Sequence, residues 1–194
     1  MTRSGIRSAA ALALGVLSLA AFAQAHTEVY TTVLSGAAEA PPNASPGTGT
    51  AIVTLDLDLV TMRVQANFSG LTGNVTAAHI HGATAVAGTG TAGVMTPTPT
   101  FPGFPSGVTS GSYDQTFDMT LASSYNAAFI TAQGGTVSGA LNALVASLED
   151  GKAYLNIHTS TFGGGEIRGF LVPEPATLSL LGTGAMLGLR RRRA

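Results

Sequence analysis

The chain has no cysteine and no tryptophan among its 194 residues, and only 10% of it is charged. The missing cysteines exclude disulfides, zinc–thiolate sites, iron–sulfur clusters and thiol catalysis. They leave the compartment open, because an exported protein need not carry disulfides. Charge is scarce beside the roughly 25% of an ordinary soluble domain, and the formal net charge is only −1. That balance lacks the basic excess of a free-standing nucleic-acid binder. Neither a phosphate-loop Gly-Lys-Ser/Thr nor a Gly-x-Ser-x-Gly elbow occurs. One formal dinucleotide fingerprint, Gly88 to Gly93, runs into Pro97 and Pro99 rather than a helix and is discounted. Carboxylates are too few and scattered to nominate a glycosidase pair. With no catalytic constellation in view, the expectation is a protein that is not an enzyme.

The two ends read as signals rather than as fold. Arg3 and Arg7 precede an apolar run from Ala9 to Ala23, and Ala23-Gln24-Ala25 is a small-x-small cleavage signature. Basic, apolar and small in that order describes a secretory signal peptide over residues 1–25. Cleavage after Ala25 by signal peptidase makes His26 the mature N-terminus. At the other end Pro173-Glu174-Pro175 is followed by an apolar run from Ala176 to Leu189 and then by Arg190 to Arg193. Fourteen apolar residues are short of the roughly 20 that span a bilayer, so a transmembrane helix here is marginal. The arginines would stay on the cytoplasmic side. Pro-Glu-Pro, a short apolar helix and a terminal arginine cluster resemble the PEP-CTERM sorting tail, here residues 173–194. The resemblance implies transient inner-membrane anchoring, processing by an exosortase, and a bacterial cell-surface or extracellular destination, often beside exopolysaccharide.

Removing both ends changes the charge balance. The segment 26–172 keeps Arg63, Lys152 and Arg168 against nine acidic residues, a formal charge of −6. An acidic surface disfavours anionic partners and suits association with cations.

The central segment is long enough for one domain and its patterning is that of strands. Val29, Thr31 and Val33 alternate from Glu28 to Ser35. Ala51, Val53, Leu55, Leu57 and Leu59 share a face, with Asp56 and Asp58 solvated opposite them. Met62, Val64, Ala66 and Phe68 repeat the alternation, predicting a hairpin that turns near Asp58 to Thr61. A fourth strand runs from Val75 to His81. Gly82 to Gly111, rich in Gly, Thr and Pro, reads as loop. Tyr113 to Leu121 is a strand with Tyr113, Phe117, Met119 and Leu121 together. Ser124 to Gln133 reads as a serine-capped helix, and Val137 to Leu148 as a second helix. Strands Ala153 to His158 and Glu166 to Leu171 complete the domain. The expected class is mainly β, an antiparallel β-sandwich or barrel-like domain with a short helical insertion.

Chemistry concentrates in four histidines, His26, His79, His81 and His158. His79 and His81 are two apart, so on a strand they project from one face about 7 Å apart. With His158 from a neighbouring strand they could meet at one copper or zinc ion. His26 as N-terminus would add an amine and an imidazole suited to copper. The competing reading is that these imidazoles hydrogen-bond backbone and order a loop, and spacing alone does not separate the two.

Several segments together resemble the CHRD domain, first described in chordin. They are Leu34-Ser-Gly-Ala-Ala-Glu39-Ala-Pro41-Pro42, Gly49-Thr-Ala-Ile-Val-Thr-Leu55, Ala78-His79-Ile-His81-Gly82, Tyr154-Leu-Asn156-Ile-His158-Thr159 and Gly165-Glu166-Ile-Arg168-Gly169. Glu166 and Arg168 share a strand face there and could pair with each other or with neighbouring polar groups, while Gly82 and Gly169 allow bends or close backbone approach. The resemblance implies no established reaction; it favours a structural or binding role at the cell surface or in the extracellular matrix. His-x-His on an antiparallel strand is also loosely similar to copper/zinc superoxide dismutase, but the histidines and cysteines of that dinuclear enzyme are lacking. The expected function is therefore an exported, exosortase-processed surface or matrix component, with a mononuclear, redox-active metal protein as the alternative. Exopolysaccharide or matrix proteins are the candidate partners, with Tyr113, Tyr125 and Tyr154 as the aromatics available for sugar stacking.

Overall fold

A computed structural model describes residues 26–174. The signal segment with Ala23 and Ala25, Pro175, the apolar run that carries the transmembrane expectation, and the arginine cluster lie outside the described residues. The elements are β1 (Thr27–Ser35), β2 (Thr48–Asp56), β3 (Thr61–Ser69), β4 (Val75–His81), β5 (Gly111–Asp118), α1 (Ala127–Ala132), α2 (Val137–Glu149), β6 (Tyr154–Thr159), β7 (Ile167–Phe170) and β8 (Val172–Pro173). All strands join one antiparallel sheet in the order β4-β6-β7-β1-β2-β3-β5, with β8 also on β1. The sheet curls into a half-barrel, so of the two expected architectures the barrel-like one forms.

Alternation fills the inside of the curl. Ala51, Val53 and Leu55 of β2, Met62, Val64, Ala66 and Phe68 of β3, and Tyr113 and Phe117 of β5 are all buried together. β1 contributes the opposite face from the one the valines suggested. Tyr30 and Leu34 are buried, whereas Val33 is 70% exposed. Two large side chains four residues apart bury more area than two valines, and with Tyr30 opposite Val53 the parity of the whole strand follows. Leu57 and Leu59 also leave the core, because β2 ends at Asp56. The Asp56 carboxylate accepts hydrogen bonds from the Asp58 N–H (3.1 Å) and the Leu59 N–H (2.8 Å). This Asx turn makes the hairpin with no Asn-Gly pair. Leu121 is exposed for the same reason, since β5 ends at Asp118.

The helices start where side chains cap them. Asn126 rather than Ser124 caps α1, its side chain accepting from Ala128 N–H at 2.9 Å. Thr136 caps α2 by accepting from Gly139 N–H at 3.1 Å, and Ala140, Leu144 and Leu148 face the core.

The proline-rich segment 82–110 is irregular, as expected, and it closes the open side of the curl. The Met95 and Phe101 N–H groups donate to the carbonyls of Ile80 (2.9 Å) and Ala78 (3.1 Å), and Thr96 and Thr100 hydroxyls accept from the same residues' N–H groups. The free edge of β4 is thereby satisfied, which removes a pairing hazard. Phe101 then packs on Tyr113 and Phe117 of β5, at 5.9 and 5.5 Å between ring centroids. One loop so ties the first strand of the sheet to the last.

Across β4, β6 and β7 the register sorts side chains by chemistry. Ala78 pairs Ile157, Ile80 pairs Leu155, and Ile157 pairs Ile167; all face the core. The alternate residues, His79, His81, Tyr154, Asn156, His158 and Arg168, occupy the other face. Gly169 lets β7 lie close against β1, because a Cβ there would collide with the Thr32 hydroxyl and the Val33 carbonyl. Gly169→Ala should therefore destabilise the domain by about 2 kcal/mol through overpacking against rigid backbone, read as a lower urea midpoint with unchanged slope. An unchanged midpoint would contradict this packing.

Candidate metal centre

His79 and His81 stand two apart on β4, and β6 brings His158 opposite Ala77, diagonal to His79. The ring centroids form a nearly equilateral triangle of 5.7, 5.4 and 5.6 Å. One ring nitrogen of each lies within 4.8 Å of the others.

Each imidazole uses its other nitrogen on a backbone carbonyl. His79 Nε2 donates to Pro99 (2.7 Å), His81 Nδ1 to Ala92 (3.0 Å) and His158 Nδ1 to Gly163 (3.1 Å). A carbonyl only accepts, so the proton sits on the bonded nitrogen and the lone pair on the other. The remaining atoms, His79 Nδ1, His81 Nε2 and His158 Nε2, are buried and have no hydrogen-bond partner. The loop-ordering reading thus accounts for one nitrogen of each ring and leaves a buried lone pair on each of three clustered imidazoles.

Electrostatics keep those lone pairs available. Burial pushes all three imidazoles below their ordinary pKa, and the neighbouring histidines add to the effect for His79 and His81. His81 is pushed down to about 4. Near neutral pH the rings are uncharged and able to ligate. A metal held at about 2.1 Å by imidazole draws its nitrogens to about 3.4 Å apart, so nitrogens that lie within 4.8 Å have to close by at most about 1.4 Å. Carbonyl-anchored, neutral imidazoles are the usual outer-shell arrangement of histidine ligands. His26 is not part of this group: it stands against Asp58, its N–H donating at 3.1 Å, on an exposed turn.

The sequence pattern of the CHRD domain matches residues 30–171. The chain belongs to the CHRD domain family. Residues 171–193 match the PEP-CTERM protein-sorting motif. That motif marks this CHRD protein for exosortase-mediated processing and for export to the cell surface. No curated protein and no solved structure matches the chain.

The CHRD domain surrounds the histidines with a polar layer that sequence reasoning missed. Tyr154 stacks flat on His81 at 4.9 Å and 7°. The Arg168 guanidinium lies over the Tyr154 ring at 4.7 Å and donates to the carbonyls of Ala38 and Gly90. Its carboxylate neighbour is Glu39, at 3.7 Å, so of the two pairings open to Arg168 and Glu166 the one with other polar neighbours forms. Glu166 instead accepts from the Ser45 and Thr159 hydroxyls (2.6 Å each) and from the Thr72 and Gly73 N–H groups. Burial raises its pKa, but those four bonds outweigh burial and hold it below the usual range. The alternation Tyr154-x-Asn156-x-His158 was the available signal, since polar residues at every second place put one polar face on β6. The three tyrosines considered for sugar stacking, Tyr113, Tyr125 and Tyr154, are buried.

Glu39 is the opposite case to Glu166. It is only 7% exposed, its Oε1 has no partner, and burial pushes its pKa up to about 7 against the counter-pull of Arg168. A folded pKa above the unfolded value means that the native state binds the extra proton. The stability contribution is complete below about pH 4.5 and is lost as pH rises through about 7. Glu39→Gln should therefore match the native chain at pH 4 and exceed its urea midpoint at pH 8. Equal midpoints at both pH values would refute a buried, proton-binding Glu39.

Proposed function

We propose that the exported CHRD domain is a surface metal-binding module that holds one copper or zinc ion on His79 Nδ1, His81 Nε2 and His158 Nε2. The observation that carries it is the clustering of three imidazoles, each with one buried, unpartnered nitrogen and a tautomer set by a backbone carbonyl. Burying acceptors without donors costs free energy, and a cation placed among them removes that cost. Three neutral nitrogens with no thiolate or carboxylate suit zinc or copper over calcium or magnesium. A bound copper would supply one-electron chemistry, a bound zinc a structural clamp between β4 and β6.

The sorting motif and the acidic mature segment support a role held at the cell surface, structural or matrix-binding, with the metal as part of the domain. A polysaccharide contact would have to be made without the three buried tyrosines.

Metal analysis of the chain purified without a histidine tag tests this. One copper or zinc per chain is expected, falling to background in the His79→Ala and His81→Ala variant. At a hundredfold excess over Kd, metal should stabilise the native domain by about 2.7 kcal/mol and leave the variant unchanged. Equal stabilisation of both, or substoichiometric metal in the native chain, would overturn the proposal.

A further inference from the structure

Pro173 of the sorting motif belongs to the folded sheet, and Glu174 is bonded to it. β8 lies along β1 with Val172 opposite Thr31 and Pro173 opposite Tyr30. The Glu174 N–H donates to the Val29 carbonyl at 2.8 Å, which adds one more rung. Hydrogen-bonded and non-bonded rungs alternate in an antiparallel pair. A bonded rung at Glu174 puts Pro173 on a non-bonded one, so its nitrogen points away from β1 and the missing N–H costs the ladder nothing. Just before, the Leu171 N–H donates to Ala153 at 2.9 Å, and the Leu171 side chain is fully buried. The backbone from Leu171 to Glu174 is thus held in the domain, although the side chains of Val172, Pro173 and Glu174 are exposed.

An enzyme that takes an extended peptide pairs with the peptide's own backbone groups. Alternate groups of this segment, the last of them the Glu174 N–H, are already committed to β1. We propose that the folded domain sets the place of exosortase cleavage: the bond that is cut lies C-terminal to Glu174, and the mature protein keeps Pro173 and Glu174 as the end of its sheet. In that step the C–N bond of one peptide unit breaks. The tail departs with the new amine, and the acyl carbon bonds to a nucleophile, water or an amine of the surface acceptor. The inference rests on the sorting assignment and is independent of the metal.

The test is the C-terminal peptide mass of the surface form, from the full chain expressed in a host with its exosortase. The expected C-terminus is Glu174 or a later residue; an end at Leu171, Val172 or Pro173 would overturn the proposal. Thr31→Pro removes the N–H that faces Val172 and loosens β8, so cleavage should spread upstream of Glu174. A Gly-Ser-Gly-Ser spacer between Leu171 and Val172 frees the motif with β1 untouched and should do the same. A cut unchanged in both variants would mean that sequence alone sets the position, contrary to the proposal. An uncut native chain would overturn the sorting assignment and this inference together.

Discussion

The register between β4 and β6 is the constraint on which the rest of the structure depends. His79 opposite Asn156 and His81 opposite Tyr154 place these four side chains and His158 on one face, and Ala78, Ile80, Leu155 and Ile157 on the other. A slip of β4 by one residue would put His79 and His81 into the core and Ala78 and Ile80 among polar groups. The apolar face therefore supplies the energy that holds the polar face in place. The loop 82–110 reinforces the same register, since it bonds the edge of β4 and also provides the carbonyls that fix His79 and His81.

The polar face has an unusual balance of donors and acceptors. Among the described residues, the buried side-chain atoms without partners are His79 Nδ1, His81 Nε2, His158 Nε2, Asn156 Oδ1 and Glu39 Oε1. Three are nitrogen lone pairs and two are oxygens, and all but Glu39 come from β4 and β6. Such a layer calls for cations or protons. Transition metal answers the nitrogens, and a proton on Glu39 answers its raised pKa. The comparison with Glu166 shows how environment decides the state of a carboxyl. Four donors keep Glu166 ionised although it is fully buried, whereas Glu39, with only the Arg168 guanidinium and the Ala40 N–H against its burial, keeps its proton to near neutrality.

Much of this was legible in the sequence, for reasons that differ by element. The alternation of β2 and β3 was unambiguous because one face is almost wholly apolar. β1 misled because Thr and Val at alternate places imitate a buried face, while parity is decided by Tyr30 and Leu34 against their partners on β2. The histidine group was half visible: spacing put His79 and His81 on one face, but only the pairing of β4 with β6 brings in His158. Glu39 comes from a loop 119 positions before His158 in the chain, and no local pattern could reveal its place beside Arg168. The first end was read from the order of its basic, apolar and small residues and the second from its resemblance to a sorting tail, which the sorting motif bears out.

The central claim is that the three imidazoles form one metal site. Its most direct test is the ligand set of the copper(II)-loaded chain, read by pulsed electron paramagnetic resonance with nitrogen-15 histidine. The account predicts one type of copper with three coupled imidazoles, and fewer in His158→Ala. A spectrum dominated by oxygen ligands, or one unchanged by loss of His158, would contradict it.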